Sequence, residues 1–404
     1  MPKGDAQTDR VCYCTNVHPG RTPSEILAQL DANDPRPFMA SNDPEYRVGL
    51  WLSDAAAAQL DQEDDALDRF AQELESRKIR VLTLNGFPQH DFHQPVVKHA
   101  VYHPNWASPE RLEYTLRLAR VLVHLIPEGT RASISTLPIG WPTDQIASGP
   151  DLEIAARLLV LCAQELAWLA ERTGRTITLD LEPEPGCVLD TAEDVLGFFN
   201  GPLDRALATH DPGTRESIRE HLGVCHDVCH SAVMHEDQRE AMRLYAQSGI
   251  RVHKVQVSSA VAADLSPGHA DETTEALRAF DEPRYLHQTT LRTPSGTEFF
   301  EDLGPALAST AMGLATQARV HFHVPIFAES VGDQPGKQPG KLGTTRSEIL
   351  PAIQAVQELH PGATFELETY AWPVLPTHLQ PESLARGIAA ELDWFARTFP
   401  ELHP

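Results

Sequence analysis

The segment Thr176-Ile-Thr-Leu-Asp-Leu-Glu182, "TITLDLE", decides how the whole chain is read. Strand side chains point to opposite faces in turn, so Ile177, Leu179 and Leu181 share an apolar face while Thr178, Asp180 and Glu182 share the other. Such a strand packs hydrocarbon under helices on one side. On the other it presents carboxylates to a common interior, and Pro183 ends it immediately after Glu182.

Working outward, similar runs recur along the chain, each followed by a helix-like run. They are "VCYCTNV", "RVGLWL", "IRVLTLN", "ASISTL", "TITLDLE", "LGVCHD", "RVHKVQVS", "RVHFHVPI" and "ATFELETY". Strands alternating with helices predict a parallel sheet with helical crossovers, and here an α/β (β/α)8 TIM barrel. Nine runs are one too many for eight staves, so one belongs to an insertion between the late strands. The helices carry start and stop signals. Thr22 is a predicted N-cap with Pro23 at the first helical position and Glu25 completing a capping box; Ser108-Pro109 repeats the opening, and Gly174 closes "DLEIAARLLVLCAQELAWLAERTG". No linker separates these elements, so residues 1–404 read as one domain. The Pro- and Gly-rich stretch 332–345 reads as a loop excursion that covers a site.

Asp and Glu outnumber Lys and Arg by 57 to 33, giving a formal charge of −24. That balance repels a phosphate backbone and argues against a nucleic-acid ligand. No run approaches the roughly eighteen apolar residues of a membrane span, and the first residues have no apolar core of a signal peptide. With six Cys in 404 residues, too few for a disulfide scaffold, the chain reads as cytoplasmic with reduced thiols.

Parity places Lys254, Gln256 and Ser258 inward in "VHKVQVS" and Glu366 and Glu368 inward in "TFELETY", and gives His253 the wrong parity for the interior. In "RVHFHVPI", His321 and His323 oppose the apolar face of Val320, Phe322 and Val324. In "LGVCHD", Gly223, Cys225 and Asp227 point inward, His226 faces the helices, and His230 follows on the next loop. Buried without partners, such groups cost several kcal/mol each, so they need one another or a cation. The Cys-rich stretch lacks the second Cys/His pair of a zinc site, which leaves Asp227 and His230 as candidates, Cys225 as filler and Cys229 open. Glu368 is preferred over Glu366 because it lies nearer the carboxyl end of its strand. The bland alternatives are a structural ion pair for Glu182, a surface pair for Asp227 with His230, and core histidines for His287 and His323. His18, ahead of Pro19, is a further candidate, and Cys12 and Cys14 are read as small interior residues. "LNGFPQHDFHQP" is expected to form a loop over the strand ends, with Trp141 and Trp372 as apolar walls or packing residues.

These blocks resemble the xylose isomerase-like barrels, sugar isomerases and epimerases in which a divalent metal is held by acidic residues and a histidine from strands five to eight. By that resemblance the metal ligands are Glu182, Asp227, Gln256 and Glu368, with Gln256 where a histidine often stands and His323 as its substitute. Glu182 and Glu368 are then the catalytic pair and His230 contacts substrate; the residues themselves add His287, His18 and Lys254 as further expected substrate contacts. More closely, "YCTNVHPG", "LNGFPQHDFH", "STLPIGW", "LEPEPG", "GVCHDVCH", "KVQVSSA", "YLHQ", "HFHVPIF" and "ELETYAWPVLP", spanning Tyr13 to Pro376, are similar to the EboE family of metabolite traffic proteins. That likeness implies a small-molecule metabolite and membrane transport partners.

An oxygen-rich donor set with a histidine suits Mn2+, Mg2+ or Co2+, with Zn2+ as an alternative. The expected reaction is isomerisation or epimerisation of a polyhydroxylated small molecule, Glu182 and Glu368 exchanging the proton on opposite faces. The rival is a non-catalytic carrier that hands a metabolite to membrane partners. Nuclease chemistry on the same fold needs a basic DNA-facing surface and a richer histidine cluster, and the acid excess argues against it.

Overall fold

A computed structural model describes residues 10–402 except positions 42, 64, 269 and 332–341, so most of the stretch expected to cover a site lies outside the described residues. Eight parallel strands close into a barrel: β1 (Val11–Cys14), β2 (Tyr46–Trp51), β3 (Ile79–Asn85), β4 (Arg131–Thr136), β5 (Thr176–Leu181), β6 (Leu222–Asp227), β7 (Val252–Val257) and β13 (Thr364–Leu367). β1 closes the ring by pairing with β2 on one side and β13 on the other.

The surplus run is "RVHFHVPI". Its first residues form β11 (Gln317–Val320) in a separate antiparallel sheet with β8 (Val261–Asp264), β9 (Thr289–Thr293), β10 (Gly296–Phe300) and β12 (Leu342–Thr344), in the order β10-β9-β11-β8-β12. This sheet is built into the crossover from β7 to β13, and the chain after β11 runs on without strand pairing through His321 and His323.

Local signals act as expected at most helix ends. Thr22 accepts from the Glu25 backbone N–H at the start of Pro23–Ala32, although the Glu25 carboxylate takes the N–H of Arg21 instead of closing a box on Thr22. Ser108 caps Pro109–Leu125, and Gly174 ends Pro150–Thr173 at φ +66° in the left-handed region.

Ile177, Leu179 and Leu181 are buried among the helices, and the inward residues stack in layers down the barrel. Nearest the N-terminal rim, Asp180 accepts from His253 Nδ1 at 2.7 Å and from Thr178 Oγ1 at 3.0 Å. This overturns the parity reading of His253. β7 bulges opposite Val224 and Cys225, with Val252 and Lys254 in successive register and His253 as the extra residue. The bulge turns the imidazole inward over Gly223, where a Cβ would sit 2.4 Å from His253 Nδ1.

One layer up, Lys254 and Glu366 form a fully buried ion pair at 3.1 Å. Thr83 donates to the same carboxylate and Lys254 reaches Ser135 Oγ at 3.3 Å. Gly49 faces this pair from β2; a Cβ there would lie 1.9 Å from Glu366 Oε2, so the missing side chain makes the space the carboxylate fills.

Candidate metal centre

At the C-terminal rim, Glu182, Asp227 and Glu368 each bring a carboxylate oxygen to within 4.8 Å of the other two, and all three are buried. Glu182 and Glu368 lie one residue past the ends of β5 and β13, and Asp227 is the last residue of β6. Asp227 also N-caps the short helix Val228–Val233, its Oδ1 accepting from the His230 N–H at 2.9 Å and from Ser258 Oγ at 2.7 Å. His230 therefore sits on a helix and not on a loop. Because the cap fixes its backbone, its ring is aimed back at the carboxylates, with Nε2 3.8 Å from Asp227 Oδ2.

Nitrogen donors come from the crossover. His323 donates through Nδ1 to the Glu368 carbonyl at 2.8 Å, and its Nε2 stands 3.8 Å from Asp227 Oδ2 with no hydrogen-bond partner. His321 meets His230, Nε2 to Nε2, at 3.1 Å and Gln288 Oε1 through Nδ1 at 2.7 Å. Gln288 also donates to Glu184, which accepts from Tyr102 OH as well. Asp227, His230 and His323 form a second close group, and Glu184, His230 and His321 a third.

The first group fits a divalent cation on its own chemistry. Glu182 Oε2, Asp227 Oδ2, His323 Nε2 and both amide atoms of Gln256 are buried and unpartnered. So many orphaned donors in one place are otherwise costly. Burial pushes the Glu182 carboxyl up to about 7, with Asp227 and Glu184 adding to the rise and His230 opposing it. Glu368 is driven well above the usual range by burial and by Glu182, Asp227 and Glu366. Burial also opposes ionisation of Asp227, yet His230, His323 and Ser258 hold it below its ordinary value. Burial brings His323 down to about 4, leaving a neutral imidazole, the form that ligates.

Gln256 stands level with Asp227 on the neighbouring strand and Lys254 one layer below. Lys254 is engaged by Glu366 and does not line the cavity above the donors. His287 also lies outside it. Its Nδ1 bonds the His321 carbonyl at 3.0 Å, its Nε2 bonds Glu282 at 2.9 Å, and its ring stacks on Phe322, so it braces the His321 segment. His18 is buried beside His93 with neither ring nitrogen partnered, outside the cavity lining. Trp141 packs on Tyr102 and Trp372 donates to Tyr13, so neither walls the cavity.

Phe87 and Phe92 from the loop after β3, with Tyr285 and Tyr370, line the mouth instead. Phe92 stacks on Tyr285 with ring centroids 4.8 Å apart. Arg111, fully buried, ties that loop down by donating to the carbonyls of Pro104, Gly86 and Phe87. The free space left is about 60 Å3, room for roughly two waters.

Several residues of the site were missed in the sequence. Glu184 repeats Glu182 two positions on in "LEPEPG" and His321 shares the parity of His323, both readable signals. Asn16 and Asn85, which donate to Glu368 at 2.8 and 3.4 Å, carried the same kind of signal, lying within strand runs at the parity of Cys14 and Thr83.

No family model matches the chain, and no curated protein matches it. Solved structures do resemble it. An xylose isomerase-like TIM-barrel protein from Mycobacterium smegmatis in complex with magnesium is 13% identical over the full length of both chains, at a TM-score of 0.46. An xylose isomerase domain protein from Planctomyces limnophilus is 12% identical over 88% of each chain, at 0.41. An L-ribulose 3-epimerase is 16% identical over 69% of this chain and 80% of its own, at 0.38. The barrel assignment rests on the strand order of this chain and not on those likenesses. Among the described residues no helix is long and apolar enough to cross a membrane.

Proposed function

We propose that the protein is a divalent-metal-dependent isomerase or epimerase of a polyhydroxylated small molecule. The observation that carries this reading is the convergence of Glu182, Asp227 and Glu368 within 4.8 Å of one another, together with the unpartnered atoms of His323 and Gln256 beside them. Glu182, Asp227, Glu368 and His323 would hold the ion, with Gln256 as a further donor; Mn2+, Mg2+ or Co2+ suits the oxygens, and Zn2+ the histidine. The ion would hold two substrate oxygens and stabilise charge that develops on them. The chain does the rest. Glu182 and Glu368 reach the site from β5 and β13, separated in the ring by β6 and β7, and move a proton off and onto one carbon from opposite sides. His230 hydrogen-bonds a substrate oxygen, and the aromatic mouth excludes water.

Elemental analysis of the protein as isolated tests the ion: about one equivalent of divalent metal is expected in the wild type and a large loss in both Glu182→Gln and Asp227→Asn. Full occupancy in both variants would refute the site. Incubation in D2O with candidate ketoses tests the reaction, solvent deuterium entering the carbon next to the carbonyl; absence of exchange with every metal would overturn catalysis.

A second reading is favoured by the aromatic mouth over a polar floor. In it the barrel holds a metabolite without converting it, for hand-over to membrane partners, as the likeness to the EboE blocks suggests. Native mass spectrometry separates the two: an apolar or aromatic adduct without metal supports carriage.

A further inference from the structure

The opposite rim of the barrel carries a second concavity that the proposed reaction does not use. A basin of about 870 Å3 opens between the N-terminal ends of the strands, lined by Arg10, Arg80, Arg131 and Arg251, with His253 among the lining residues and no Asp or Glu among them. In a chain whose acidic residues outnumber its basic ones by 57 to 33, a lining of this composition reverses the local field. Each arginine is placed by its strand: Arg10 precedes β1, Arg80 is the second residue of β3, Arg131 opens β4 and Arg251 precedes β7.

Arg131 pairs with Glu220 at 2.7 Å and Arg80 lies 3.7 Å from Glu45. For Arg10 and Arg251 no ion pair is found among the described residues. The second, independent observation is His253. Its side chain is 9% exposed, its Nδ1 is taken by Asp180 at 2.7 Å, and its Nε2 is buried without a partner.

We infer that this basin is a binding site for a phosphate-bearing small molecule. Arginines set at four strand starts around one basin match an anion that offers several oxygens, each able to accept paired N–H donors. A hydrogen phosphate carries both P–OH and P–O−, so it meets His253 Nε2 as donor or acceptor while Asp180 keeps Nδ1. A nucleic-acid backbone is a poorer fit, because the chain as a whole carries a net charge of −24.

Isothermal titration of the full chain with inorganic pyrophosphate, inorganic phosphate and acetate tests the site. Pyrophosphate is expected to bind at one equivalent and more tightly than phosphate, with acetate weakest. Arg10→Gln and Arg251→Gln should each weaken pyrophosphate about tenfold, the worth of one charge-assisted hydrogen bond. Arg386→Gln, an exposed arginine on the helix Leu384–Thr398 and outside the basin lining, and Asp227→Asn at the opposite rim should leave the affinity unchanged. Absence of binding, an equal loss in Arg386→Gln, or a loss in Asp227→Asn would overturn the inference: the first shows no site, the second a general charge effect, the third an anion held at the metal centre. Thermal unfolding of the arginine variants without pyrophosphate should match the wild type, which separates lost binding from lost fold.

Discussion

The Lys254–Glu366 pair shows how single residues condition the site above them. Both side chains are fully buried, so each is tolerable only because of the other. Lys254 also lowers the proton affinity of Glu182 and Glu368 from below. Its part is positioning and electrostatic, although the sequence suggested substrate contact. Glu366→Gln leaves an ammonium without its counter-charge and is expected to destabilise the fold by about 3–5 kcal/mol. Adding Lys254→Met to that variant should recover most of the loss, read by urea unfolding. A double variant no more stable than the single would show that the pair does not work as a unit. At this scale the sequence was informative where alternation held. Glu182, Asp227, Gln256 and Glu368 were all placed inward by parity alone, because a strand admits only two directions for a side chain. Parity failed at His253, since one inserted residue resets the phase and leaves no mark in the composition.

At the scale of elements, the crossover from β7 to β13 is the part the sequence left open. Alternation in "RVHFHVPI" was real, but a strand of a neighbouring sheet alternates as a barrel stave does, and only pairing tells them apart. The loop after β3 was expected over the strand ends, and its Phe87 and Phe92 do line the mouth. What holds it, the buried Arg111 on the following helix, had no signal beyond an ordinary helical position. The Phe92–Tyr285 stack joins this loop to the crossover at the mouth of the cavity. Phe92→Ala should therefore speed removal of bound metal by a chelator severalfold without changing how much metal the protein holds. An unchanged stripping rate would mean that ions leave by another route.

For the molecule as a whole, buried histidines set the response to acid. Burial lowers His18 to about 3 and His226 to about 4. His226 lies between the barrel and the helices, bonded to Gln238 at 2.7 Å. Unfolded, both titrate near 6.5, so between about pH 6.5 and 4 the unfolded chain binds protons that the folded one refuses. Stability then falls as pH drops through that window, by about 2 kcal/mol for each group at pH 5. Thermal unfolding should show a steep decline in Tm below pH 6.5, and a shallower one in His226→Gln. A flat profile would mean that these rings are protonated in the fold.

The split origin of the donor set has a bearing on how the chemistry can diverge. Oxygen donors belong to the staves, where any change disturbs neighbours through the packed interior; the imidazoles of His321 and His323 ride on a segment threaded between two staves. Drift or grafting confined to that segment can shift the preference between hard and soft ions, or remove it, while the frame carrying the acids is inherited intact.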